Sequence, residues 1–251
     1  MEEKKEQKHL IELDEYLKTG SHIGTRFKTG DMARYIFKQR KDGLKVLDVE
    51  TIDRRIKTVA KFLAKYDSAG IAAVARKTYG QEPARQFAEA IGCKAILGRF
   101  VPGTFTNPNA KKFVEPRVII VTDPESDRQV LKEVEKIKTP VIAMCTTSNS
   151  LTTIDLVIPI NNKGRKSLAL AYFLLARETL KEKGAIKNNE EFTKKIEDFE
   201  YKLKEGAVER EFEPQENRRG SRFDRKGRDG QRRGKDGGRR PRREEYGDDS
   251  Y

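Results

Sequence analysis

The residues best able to do chemistry are few and scattered. Both histidines, His9 and His22, fall near the start of the chain, and the two cysteines, Cys93 and Cys145, form no CxxC pair. That spacing supplies no metal-ligand set. A nucleophilic Cys145 needs a poised base, and neither histidine is placed by sequence to be one; Ser148 and Ser150 lack a Gly-x-Ser-x-Gly frame. The cysteines read as small core residues at the edges of elements. Asp123 ends an apolar run, a position from which an acid can hold magnesium. Its setting, Thr122-Asp123-Pro124-Glu125, reads instead as a helix cap with proline in the first helical position. Gly-x-Gly-x-x-Gly follows no candidate strand, and GTRFKTGD (24–31) spaces its glycines without a Gly-Lys-Ser/Thr. No catalytic constellation stands out.

What remains is a set of basic loops suited to phosphate contact. Gly20 to Lys28 combines permissive glycines with His22, Arg26, Phe27 and Lys28, fitting close backbone approach to phosphates and stacking on an aromatic. Arg76 and Lys77 follow one apolar run. Arg99, Thr104, Asn107, Lys111 and Lys112 occupy the stretch from Gly98 to Arg117. That connection is far longer than the ~2–6 residues usual between a strand and a neighbouring element, so it reads as functional or disordered. Lys163, Arg165 and Lys166 follow the last strand-like run. Each group alone is an ordinary solvated loop; together they describe a basic rim.

Regular elements must hold that rim. Leu10 to Leu17 predicts a short helix ending at Gly20. Tyr35-Ile36-Phe37 and Val46-Leu47-Asp48-Val49 predict a hairpin turning at Asp42-Gly43. Thr51 and Asp53 are expected to cap a helix running to Tyr66. Short apolar strands then alternate with helices: 71–75, a helix opened by Pro83, 95–97, 118–121, a helix after Asp123, 141–144, 156–158, and a strongly apolar helix over 167–182. Such alternation predicts an α/β fold with a mostly parallel sheet covered by helices on both faces. If the crossover rule holds, the loops after 71–75, 95–97 and 156–158 share one sheet edge.

The domain so predicted spans 10–184, behind a frayed N-terminus at 1–9. Over 185–204, Phe192, Ile196, Phe199 and Leu203 recur at helical spacing, predicting an amphipathic helix. Residues 205–251 are polar and glycine-rich, with Arg218, Arg219, Arg222, Arg225, Arg232, Arg233, Arg239 and Arg240 in an Arg/Gly-patterned tail. This composition cannot bury a core, so the tail is expected to be disordered and to contact RNA or protein.

The chain has 251 residues and a formal net charge of +13. The tail holds 14 Lys/Arg against 12 Asp/Glu, so most of the excess lies in the folded part. A basic globular surface points to a polyanion. No apolar run approaches the ~20 residues of a spanning helix, which disfavours a membrane. The N-terminus has no apolar signal core, and two unpaired cysteines suit a reducing compartment, so a cytoplasmic setting is expected.

The runs YLKTGSHIGTRFK, YIFKQRKDGLKVLDV, GRFVPGTFTNP, PRVIIVTDP, PVIAMC and DLVIPINNKGRKSLAL stand in this order over roughly residues 10–182. They resemble the universal ribosomal protein S2 family of the small subunit. The direct passage from Asn107 to Phe113 resembles its archaeal/eukaryotic branch, since bacterial members carry a coiled-coil insertion there. The resemblance implies a flavodoxin-like domain without catalysis or cofactor, held by ribosomal RNA and neighbouring ribosomal proteins, acting in assembly and translation, with no homo-oligomer and no metal. It places the family's glycine-and-histidine loop on Gly20–Gly24 and its signature loop on Arg99–Asn107. Bacterial members carry a second histidine where Thr25 stands. The competing reading is a flavodoxin-like nucleotide- or flavin-binding domain using loops 98–112 and 145–150 as a phosphate pocket.

Overall fold

A computed structural model describes residues 9–202. Residues 1–8 of the expected frayed start, Leu203, Lys204 and the whole Arg/Gly-rich tail, including the eight arginines named above, lie outside the described residues.

The frame is a five-stranded, all-parallel sheet. Its strands are β3 (Ile71–Ala75), β4 (Lys94–Leu97), β5 (Val118–Val121), β6 (Val141–Cys145) and β7 (Leu156–Pro159), in the order β4-β3-β5-β6-β7. This is the 2-1-3-4-5 order of flavodoxin-like folds. The apolar runs explain it: β3, β5 and β6 are buried along their whole length, as strands covered on both faces must be.

Helices α2 (Val49–Ala64), α3 (Thr78–Ile91) and α5 (Arg165–Glu182) form one layer, with α5 packed against both others. The crossover β3-α3-β4 runs one way along the sheet and β5-α4-β6 the other, with α4 at Arg128–Ile137. Right-handed connections therefore place α4 on the opposite face. Two buried rings, Phe87 of α3 and Tyr172 of α5, pack with centroids 5.5 Å apart. The Tyr172 hydroxyl meets Thr122 Oγ1 at 2.7 Å, and Thr122 in turn donates to the Val74 carbonyl.

Ahead of the sheet stand α1 (Leu13–Thr19), ended by Gly20 in the left-handed conformation, and an antiparallel hairpin, β1 (Ile36–Gln39) and β2 (Lys45–Leu47). Gly43, at φ 84°, makes the turn at the expected place.

Four local expectations are corrected. The cap of α2 is Asp48, whose carboxylate accepts from Thr51 N–H, so the helix begins at Val49 and not beyond Thr51. Asp53 is buried and serves α1 instead: Tyr16 Oη–H donates to it, Leu10 N–H donates at 3.3 Å, and His9 Nδ1 lies at 2.8 Å. Pro83 sits inside α3, which starts at Thr78. Gly80 lies so close to the sheet that an added Cβ would meet Thr122 Cγ2 at 2.8 Å, which draws the first turn in directly behind β3. Asp123 does not cap α4. It closes a turn, accepting from Glu125 N–H and Ser126 Oγ–H, and the helix starts only at Arg128.

The fourth correction concerns 185–204. The described part is a 3-10 turn at Asn189–Glu191 and a four-residue helix, α6, at Ile196–Phe199, joined by extended backbone. The apolar stripe is real but reaches the domain from an irregular chain. Phe192 and Phe199 pack on Phe173 of α5 with centroids 5.4 and 5.9 Å apart. Lys194 binds Gln86 Oε1 at 2.7 Å, tying the segment to α3. Side-chain anchoring outweighs the weak helical preference of a run that opens with Gly184 in a left-handed turn.

Candidate nucleic-acid interface

Because all five strands run parallel, every loop after a strand emerges at the same sheet edge, and strand order fixes the sequence along it. The loop after β4 lies at one end. Next come Arg76-Lys77 after β3, the 122–127 turn after β5, the 146–150 loop after β6, and the 161–164 turn after β7. With neighbouring strands ~4.8 Å apart, the outer loops are separated by roughly 19 Å. The predicted basic rim is thus one edge with two charged ends and a different centre.

The β7 end gathers the most candidates. The Gly20–Lys28 loop is laid across it by a web of bonds to residues more than a hundred positions away. Asn161 N–H donates to the Ser21 carbonyl at 3.0 Å and its side chain to the Gly20 carbonyl at 3.1 Å. Thr25 N–H donates to Thr147 Oγ1 at 2.9 Å, and Thr147 Oγ1–H donates to the Phe27 carbonyl. Gly24 is needed for this approach: a Cβ there would meet Thr147 Cγ2 at 2.5 Å and the Lys45 carbonyl at 3.0 Å.

These contacts revise the role of the glycine loop. Its Ile23, Gly24 and Thr25 amides are all spent on protein acceptors, so these three are not open to a phosphate. The side chains are what face outward. Arg26, Phe27 and Lys28 are exposed, with Phe27 at 77% exposure, and Lys163 and Lys166 are exposed on the adjoining turn and helix start. His22 is half-buried with Nδ1 3.2 Å from the Tyr16 carbonyl, and Arg165 is tied to Glu200 at 2.9 Å.

The centre of the edge is internally compensated. Lys77 forms an ion pair with the buried Asp123, and Asp123 also accepts from Asn162 Nδ2 at 3.3 Å. Arg76 is exposed and donates to the Ser126 carbonyl at 3.2 Å. Beside them Asp127 is buried with neither carboxylate oxygen in hydrogen-bonding geometry to a described residue. Burial pushes its pKa up to about 6, against the pull of the Arg76 amide, and the nearby Asp123 charge adds to the rise.

The β4 end is the long loop, and it is ordered by its own interior. Phe100 and Phe105 are buried against each other with centroids 5.1 Å apart. Glu133 of α4, itself buried, accepts Gly103 N–H at 2.7 Å and Phe105 N–H at 3.1 Å. Thr104 is withdrawn from the surface and donates to the Val101 carbonyl, so its role is to shape the loop. Arg99, Asn107, Lys111 and Lys112 remain exposed. Glu133 was invisible in the sequence as anything but one acid on a charged helix.

Burial raises the pKa of both thiols, Cys93 to about 12 and Cys145 further, which suppresses the thiolate form. Among the described residues no group of three or more His, Cys, Asp and Glu could hold a metal, and no helix is long and apolar enough to cross a membrane.

A family model described as ribosomal protein S2 matches residues 16–113 and 109–182, which takes in the end of α1, the hairpin, the sheet and α5. The chain belongs to the ribosomal protein S2 family. It is therefore a small-subunit ribosomal protein by family, a class with a structural rather than an enzymatic part in translation. The S2 match covers the glycine-and-histidine loop, the long loop and the 161–166 stretch, so both charged ends of the edge lie within the matched residues. The segment after α5, with Phe192 and Phe199 packed on Phe173, lies beyond it.

Proposed function

We propose that this chain binds small-subunit ribosomal RNA through the two charged ends of its carboxyl sheet edge, and that neighbouring ribosomal proteins complete its seat during assembly. The observation that carries this reading is the docking of the Gly20–Lys28 loop onto Thr147 and Asn161. It fixes the loop that presents Arg26, Phe27 and Lys28, and the start of that loop meets Asn161, ahead of the exposed Lys163 and Lys166. Mobile cations on a rigid base fit phosphate contacts that position without reading sequence. Arg99, Asn107, Lys111 and Lys112 supply the second contact, and the tight turns through Asn107, Ala110 and Phe113 fit the archaeal/eukaryotic branch of the family. No turnover is proposed, and the setting is the cytoplasmic small subunit.

The nucleotide-pocket reading is weaker on a specific point. An anion at the long loop would want the amides of Gly103 and Phe105, and the Glu133 carboxylate already occupies both. The test is sedimentation of the tagged full chain in a lysate of its own cells. Co-migration with small subunits, lost on stripping at high salt, is the expected result. Free protein under all conditions overturns the proposal.

A further inference from the structure

The β1–β2 hairpin carries a feature that the edge does not use. Its register pairs Ile36 with Leu47 and Lys38 with Val46, so two steps along β1 match one along β2. Phe37 is the extra residue, and a bulge of this kind re-aims a side chain. The consequence is a phenylalanine 68% exposed on a hairpin, where burial against the domain is available to its neighbours Tyr35 and Leu47. Lys38 Nζ stands 5.8 Å from the centre of the Phe37 ring.

Phe37 is not isolated from the loop already described. Ile23 bridges Val46 in antiparallel fashion, Gly24 N–H donates to the Lys45 carbonyl, and Lys45 N–H donates to the Thr25 carbonyl. The glycine loop therefore lies as a third line along β2, and Phe27 and Phe37 belong to one small framework. The exposed cations on it are Arg26, Lys28, Arg34, Lys38 and Lys41, besides Arg40, which pairs with Asp42. Asp31 is the other exposed acid between residues 26 and 42.

From the bulge, the exposed ring and this charge balance we infer that Phe37 is a stacking platform for an unpaired RNA base, with Lys38 and Lys41 holding the flanking phosphates. The inference rests on the RNA-binding reading above and adds to it the kind of RNA engaged. A ring presented on a hairpin needs an open base face, which loops and bulges offer and a continuous duplex does not. Exposed aromatics interleaved with cations are the usual means of gripping unpaired nucleotides.

The chain contains no tryptophan, so Phe37→Trp introduces a single indole whose emission can be excited apart from the tyrosines. Titrating that full-length variant with unpaired oligoadenylate should quench its emission, and the same strand paired with its complement should not. In parallel, Phe37→Ala should weaken binding to deproteinised small-subunit ribosomal RNA about five- to a hundredfold, with the unfolding midpoint unchanged. Equal quenching by duplex, or an Ala variant that binds ribosomal RNA like the parent, overturns the platform while leaving the RNA reading intact. Failure of the parent chain to bind ribosomal RNA overturns both. Self-association of the parent that Phe37→Ala abolishes, with RNA binding unchanged, reassigns the ring to a protein contact and overturns the platform.

Discussion

Gly24 and Thr147, 123 positions apart in the chain, touch so closely that no side chain fits between them. A Cβ on Gly24 would lie 2.5 Å from Thr147 Cγ2, and the Lys45 carbonyl closes the other side at 3.0 Å. This contact seats the Arg26-Phe27-Lys28 segment on the sheet edge, because Thr147 Oγ1 also joins Thr25 N–H to the Phe27 carbonyl.

Gly24→Ala should therefore destabilise the fold by about 1–3 kcal/mol, the usual range for an extra methyl forced into a packed site. Thr147→Ser removes Cγ2 and keeps the hydroxyl, so combining the two should recover part of the loss but not all, since the Lys45 carbonyl stays put. Urea unfolding of the four proteins in the cycle measures this. Additive effects would show that the two side chains do not meet.

Glu133 orders the long loop from beneath, and its removal should be felt there first. Glu133→Ala leaves the Gly103 and Phe105 amides without their acceptor, with Phe105 buried. A hydrogen bond to a charged group contributes about 1.5–3 kcal/mol. Hydrogen exchange should accelerate at residues 103 and 105 and stay slow along Val118–Val121. Uniform acceleration would mean that Glu133 supports the whole domain and not the loop.

The sheet was readable in advance because its strands are short, apolar and β-branched, and because helical stripes such as Val130, Leu131, Val134 and Ile137 separate them. The hairpin was readable from Asp42-Gly43. Contacts made by polar side chains across long stretches of sequence were not. Asp48, Asp53 and Asp123 stand in similar settings near helix starts, yet one caps, one binds Tyr16, and one pairs with Lys77. The choice depends on what the folded chain brings alongside, which local pattern does not contain. The 185–204 stripe misled for the same reason, since packing on Phe173 satisfies its spacing without a continuous helix. The basic loops were found by charge, but the withdrawal of Thr104 and the neutralisation of Lys77 needed the fold.

Asp127 gives the domain a built-in pH dependence. Its pKa rises from 3.8 to about 6 on folding, chiefly through burial. The folded state then holds its proton more tightly than the unfolded chain does. Stability from this group is present below the unfolded value and is lost as pH rises from about 4 through 6. The full cost above that is on the order of 2–3 kcal/mol. Asp127→Asn should therefore stabilise the protein at pH 7 and make little difference near pH 4. Thermal unfolding across that range tests it, with the positive charges of Arg76 and Lys77 and the negative charge of Asp123 left in place. A variant less stable than the parent at pH 7 would show that the carboxylate is satisfied when ionised.

Salt dependence separates cations that face RNA from cations that face the protein. Arg26 and Lys28 are exposed at the β7 end, whereas Lys77 is committed to the buried Asp123. If each of the first two neutralises one phosphate, changing both to alanine should lower the slope of log K against log salt by roughly 1.4–1.8. Lys77→Ala should leave that slope unchanged and instead lower stability by about 1–3 kcal/mol, because Asp123 loses its cation while keeping its bonds to Ser126 and Asn162. Filter binding to small-subunit ribosomal RNA across a salt series, paired with unfolding curves, reads both quantities. A slope that falls with Lys77→Ala but not with the double variant would place the RNA at the centre of the edge, over Asp123, and not at its ends.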